Sequence, residues 1–136
     1  MFELLEHPAD IGFRARAPDL AALFETCAEA LLAVAVEVET VEPRSSYPLA
    51  AAGDDTESLL VNWLSEVLYL WDARRLALRQ FRVLEITPGR VTGEGLGEPW
   101  DPARHRAKLV IKGVTYHQLR VGQDRQGWYA QVFLDI

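Results

Sequence analysis

The sequence predicts an α+β fold in which two helices pack on a mainly antiparallel β-sheet or sandwich. Three observations carry that prediction. Apolar and polar residues alternate at period two near both ends of the chain, in "DIGFRARA" and in "WYAQVFLD". Two internal segments switch to the i, i+3, i+4 spacing of amphipathic helices. The predicted order is strand, helix, strand, helix and then a run of strands, without the regular alternation that builds a parallel sheet. The 136 residues, 49% of them apolar, are expected to form a single domain spanning 1–136 around one core, and they exclude a disordered chain.

"FELLEH" and "DIGFRARA" read as the first two strands, with Ile11, Phe13 and Ala15 on one face and Gly12, Arg14 and Arg16 on the other. "HPAD" between them reads as a turn or bulge, because Pro8 fixes its own backbone and donates no hydrogen bond. The period then changes. Leu20, Leu23, Phe24, Cys27, Leu31 and Leu32 line one face of a helix that Asp19 caps and that ends near Ala35, where "VEVETVEP" turns β-branched. "RSSYP" reads as a loop and "PLAAAG" as a strand. A second helix opens at "DDTESLL", with Asp54 and Glu57 in the spacing of a capping box. Its stripe of Leu59, Leu60, Trp63, Leu64, Val67, Leu68 and Trp71 is core, to be buried on a sheet. "FRVLEI" reads as a strand and "TGEGLGEPWDP" as a glycine- and proline-rich loop carrying Glu94, Glu98 and Asp101. "AKLVIKGVTYHQLRV" reads as one long strand or two with a bulge at Gly113. "GQDRQG" is a hairpin loop, and "WYAQVFLD" returns antiparallel.

Composition narrows the function classes. A formal net charge of −6 argues against stand-alone binding of RNA or DNA, which needs a basic surface. No stretch is long and apolar enough to cross a bilayer and no signal peptide is visible, so a cytoplasmic location without membrane contact is expected. The single cysteine, Cys27, fits a reducing compartment and lies on a helix's apolar face, where a buried inert thiol is expected rather than a nucleophile. The charge is unevenly spread. Between Asp101 and Asp124 there is no acid, while Arg104, Arg106, Lys108, Lys112 and Arg120 lie there with His105 and His117. Such a segment is either a solvated sheet face or a contact for phosphate or an acidic partner, with Lys112, His117, His105 and Lys108 the candidate contacts.

Motifs for zinc, for dinucleotides, for a phosphate loop and for a nucleophile elbow are absent from the sequence. The carboxylates remain. Asp10 starts the second strand and Asp135 ends the last, beside the carboxylate of Ile136. If those two strands are neighbours, three oxygen donors converge in a set suited to Mg²⁺, Mn²⁺ or Ca²⁺; otherwise they are solvated strand ends.

"HPADIG", "LLVNWLSEVLYLWD", "GEPWDPARHRAKLVIKGVTYHQLRV" and the final "GWYAQVFLDI" together resemble the archease family, in order and over nearly the whole chain. Pro8 and Gly113 depart from the family's more frequent threonine and alanine without removing a charge. The resemblance implies a non-catalytic accessory factor of the RtcB-type RNA-splicing ligase, which joins phosphate-ended RNA to a 5′-hydroxyl using GTP and a divalent metal. It implies a role in promoting ligase guanylylation and repeated turnover, through a transient contact that meets RNA and GTP only indirectly. It further implies a metal site at Asp10, Asp135 and Ile136, with calcium ahead of magnesium or manganese, and a motif lysine at Lys112. DNA is not an expected partner. The competing readings from the residues alone are a metal-dependent phosphoesterase built on Asp10, Asp135 and His117, and a chaperone or scaffold with an exposed apolar face.

Overall fold

A computed structural model describes residues 1–7 and 10–136, so the turn expected over "HPAD" falls on residues 8 and 9, outside the described residues. The chain is α+β, with two helices and two antiparallel sheets. The first sheet holds β1 (Phe2–His7), β2 (Asp10–Ala17) and β8 (Gly127–Asp135). β8 is flanked on its other side by β6 (Gly113–Val114) near one end and β7 (Arg120–Asp124) near the other. The second sheet has the order β3 (Ser45–Ala52), β5 (Arg90–Pro99), β4 (Leu76–Thr87). Two helices, α1 (Leu20–Ala35) and α2 (Thr56–Asp72), each pack on strands of both sheets, and their buried faces make the centre of the core. No helix among the described residues is long and apolar enough to cross a membrane.

Helix boundaries follow from capping. Asp19 accepts from the Ala22 amide at 2.8 Å and opens α1 as its sequence predicts. For α2 the expected cap moves by one residue. Asp55, not Asp54, accepts from the Ser58 amide at 2.7 Å, and the Ser58 hydroxyl accepts from the Asp55 amide at 3.1 Å. The reciprocal pair is therefore Asp55–Ser58, because a serine hydroxyl reaches back as a glutamate would. All seven members of the predicted α2 stripe are buried, with Trp63 fully enclosed and its indole N–H donating to the Phe24 carbonyl at 3.0 Å. Cys27 is fully buried, which pushes its thiol pKa up.

Three expectations about the strand regions are corrected, two of loops and one of a bulge. "TGEGLG" is not a loop but the middle of β5, the central strand of its sheet. Its Gly93, Gly95 and Gly97 face the core at period two, where a Cβ would collide with the Arg82 carbonyl, the Leu78 side chain and the Ala77 carbonyl. "RSSYP" is not wholly loop, since β3 already starts at Ser45. The β-branched run after α1 holds a 3₁₀ turn over Val38–Thr40. Of the two alternatives for "AKLVIKGVTYHQLRV", one long strand or two, the structure has two short ones, β6 and β7, and Gly113 pairs regularly with Asp135 rather than forming a bulge.

A strand fails to form before β6 for a hydrogen-bonding reason. The last-turn carbonyls of α1 have no intrahelical donors. The amides of Lys108 and Leu109 donate to Ala35 and Val34 at 2.8 and 3.2 Å, and the Glu37 amide donates to Arg106 at 2.9 Å. The apolar run is thus used to close a helix end.

Candidate metal and partner-binding tip

β2 and β8 are direct neighbours, and their register places Asp10 opposite Asp135. The carbonyl of Asp135 accepts the Lys112 amide at 2.7 Å, so it points away from β2. Asp10 and Asp135 are therefore a non-hydrogen-bonded pair, the kind in which Cα atoms sit about 4.5 Å apart and side chains come closest. Both lie on the sheet face opposite Ile11, Phe13, Val132 and Leu134, which are buried in the core. The Oδ1 of Asp10 is buried, whereas Asp135 is exposed. Ile136, of opposite parity, packs its side chain on the core and so anchors the chain beyond Asp135.

Gly113 of β6 stands on the other side of Asp135, giving the row Asp10, Asp135, Gly113 across three strands. Lys112 precedes that row and is exposed. Two residues back along β8, Phe133 lies over Gly12, where a Cβ would stand 2.7 Å from the ring. His117 packs edge-on against Phe133 with ring centroids 5.9 Å apart, and the Thr115 hydroxyl and amide both donate to the Phe133 carbonyl, at 3.0 and 3.1 Å. One strand step of about 6.6 Å thus separates the residue under the His117 imidazole from Asp135. Parity along β8 contained this platform in the sequence. What parity did not contain was the tight turn, with Gln118 at φ 51°, that folds His117 back over the sheet.

The other two candidate contacts lie elsewhere. His105 is not a surface contact. It is 3% exposed, its Nδ1 accepts the Asp101 amide at 2.9 Å, and its Nε2 therefore carries the proton aimed at Glu98, 2.8 Å away. Glu98, also 3% exposed, is a hub that the sequence had placed in an acidic loop. It accepts the Glu42 amide at 2.9 Å and Arg104 at 2.6 Å, and Arg44 approaches to 3.4 Å. The Glu42 amide, then His105 and Arg104, lower its pKa to about 2 against the opposing cost of desolvation. Lys108 donates its ammonium to the Ala33 carbonyl at 2.9 Å and caps the end of α1, where a cation is favoured by the helix dipole. Neither residue shares the tip with Asp10 and Asp135.

Two opposed carboxylates repel unless a proton, water or cation lies between them, and oxygen donors of this kind suit a hard divalent cation. Among the described residues no three His, Cys, Asp or Glu side chains gather to hold a metal ion, so side chains alone supply two donors here. The carboxylate of Ile136, next in the chain to Asp135, is a further oxygen donor at this end of the sheet.

The family model described as Archease protein family (MTH1598/TM1083) matches residues 2–136. Relatives called "Protein archease" include one from Methanosarcina barkeri, 36% identical over 99% of this chain and 95% of its own length. Another, from Pyrococcus furiosus, is 37% identical over 99% of this chain and 98% of its own. The solution structure of Methanobacterium thermoautotrophicum protein 1598 superimposes with a TM-score of 0.83 and 29% identity, covering 99% of this chain and 98% of that one.

Proposed function

Because the chain belongs to the archease family, we propose that it is a protein cofactor of an RtcB-type RNA-splicing ligase, working without catalytic activity of its own in the cytoplasm. The observation that carries this reading is the opposition of Asp10 and Asp135 at one end of the sheet. Asp10, Asp135 and the carboxylate of Ile136 would hold one divalent cation, with calcium ahead of magnesium or manganese. When bound, such a cation supplies positive charge to the phosphates of the nucleotide that guanylylates the ligase.

The chain's own residues do the rest. The β2–β8 ladder holds the two carboxylates in fixed register, so the anionic donors are organised before any encounter. Exposed Lys112 presents a mobile cation beside them, suited to a phosphate or to an acidic residue of the ligase. His117, held on Phe133, adds a hydrogen-bonding edge at the same end. A small, charge-matched tip favours fast encounter and release, as one cofactor serving many ligase molecules requires.

The deciding experiment is multiple-turnover ligation by the cognate ligase with and without this protein. Asp10→Ala, Asp135→Ala and a one-residue extension after Ile136 should each abolish or strongly weaken stimulation while leaving the circular dichroism spectrum unchanged. Normal stimulation by all three would overturn the reading.

A further inference from the structure

The outer face of the first sheet changes character away from the tip. Cross-strand register builds one row from Glu3, Arg14, Gln131 and Arg120, and the next from Arg16, Tyr129 and Gly122. The side chains of Arg14 and Arg16 are 58% and 48% exposed. Arg120 is exposed and, among the described residues, has no ion-pair partner. Tyr129 occupies the space left by Gly122, where a Cβ would stand 2.6 Å from its hydroxyl oxygen. The Arg16 guanidinium lies 5.5 Å from the Tyr129 ring centroid. Phe2, Arg14, Arg16, Arg120, Tyr129 and Gln131 line a groove of about 690 Å³.

Three arginines on this face, Arg14 paired with Glu3 and Arg16 with Asp124, leave a local positive excess at Arg120 on a protein of net charge −6. Guanidinium groups bind phosphate oxygens in pairs, and an aromatic ring on a sheet face stacks with a base. Arg14 and Arg16 are about 6.6 Å apart along β2, and Arg14 and Arg120 two strand spacings apart, about 9.6 Å. That spread suits several anionic groups along a strand rather than one ion. An acidic peptide would match the arginines but has no base to stack on the Tyr129 ring.

We propose that this groove binds a segment of single-stranded RNA, with phosphates on Arg14, Arg16 and Arg120 and a base on Tyr129. The choice of RNA as the strand rests on the ligase-cofactor reading; the phosphate and stacking chemistry does not. Arg120 makes the first contact, and Arg16 exchanges its two bonds to Asp124, at 3.1 and 2.9 Å, for bonds to phosphate.

The test is fluorescence anisotropy of a short labelled oligoribonucleotide with the isolated protein at low salt. Arg14→Gln, Arg16→Gln and Arg120→Gln should each weaken binding about 3- to 10-fold and reduce the slope of log affinity against log salt by about 0.7 to 1. Tyr129→Leu should weaken it about tenfold and Tyr129→Phe should bind as the wild type does, since stacking needs the ring and not the hydroxyl. Absence of binding at low salt overturns the proposal. So does displacement of the RNA by an equally charged glutamate peptide with Tyr129→Leu behaving as wild type, which would make the groove a site for acidic protein. No ligase is present in this measurement. Failure here therefore leaves ligase stimulation standing, and loss of stimulation in Asp10→Ala with RNA binding intact overturns only the reading of the tip.

Discussion

Glu98 keeps its charge while 3% exposed because four donors converge on it from two parts of the chain. Its folded pKa of about 2 lies below the ordinary value of 4.5. A depressed carboxylate contributes stability that is complete above its unfolded pKa and fades as pH falls toward the folded one. Glu98→Gln should therefore melt well below the wild type near neutrality, with the gap closing between about pH 4.5 and pH 2; thermal melts across that range check this. Cys27 gives a second residue-scale expectation. Its burial and raised thiol pKa should keep it unreactive toward an aromatic disulfide reagent in the native state, with labelling no faster than unfolding. The inert character of Cys27 was legible because a helix period assigns faces. The hub at Glu98 was not, because its partners Glu42 and Arg44 are more than fifty positions away and no local pattern joins them.

Both helix starts were legible to within a residue from an aspartate cap and a 3.6 period, and the end of α1 from the β-branched run that follows it. At α2 two adjacent aspartates offered the same cap, and only the Ser58 hydroxyl distinguishes them. Asp55→Ala should lower the thermal midpoint while Asp54→Ala leaves it in place. The strands were less legible where tertiary contacts decided. Glycine at every second position of β5 reads as a loop, yet it is what lets β4 and Trp63 approach the strand closely. Gly97→Ala should cost about 2–3 kcal/mol in chemical denaturation, because the added methyl meets a backbone carbonyl that cannot rotate away. The segment before β6 has strand composition but is captured by the end of α1, where the Lys108 ammonium also bonds the Ala33 carbonyl.

For the whole molecule, the decisive fact about the candidate tip was legible only conditionally. Asp10 and Asp135 were identifiable as strand-end acids, but whether they meet depends on which strands are neighbours, and periodicity carries no such information. Their opposition has a thermodynamic signature. Without divalent ions, Asp135→Asn should stabilise the fold by about 0.5 kcal/mol by removing a like-charge pair. Adding calcium should raise the melting temperature of the wild type and not that of the variant; equal shifts in both would remove the case for a cation at this position. The register also bears on biosynthesis. Arg14 and Gln131, partners in the ladder, are 117 positions apart. At roughly 5–20 residues per second of translation, β2 waits on the order of ten seconds beside the ribosome for the strand that completes its sheet. During that interval the hairpin of β1 and β2 has an open edge that invites pairing with another nascent chain. Only when translation reaches the final residues can the acidic pair assemble, so a product truncated before β8 is a candidate for aggregation and degradation rather than a weakened cofactor.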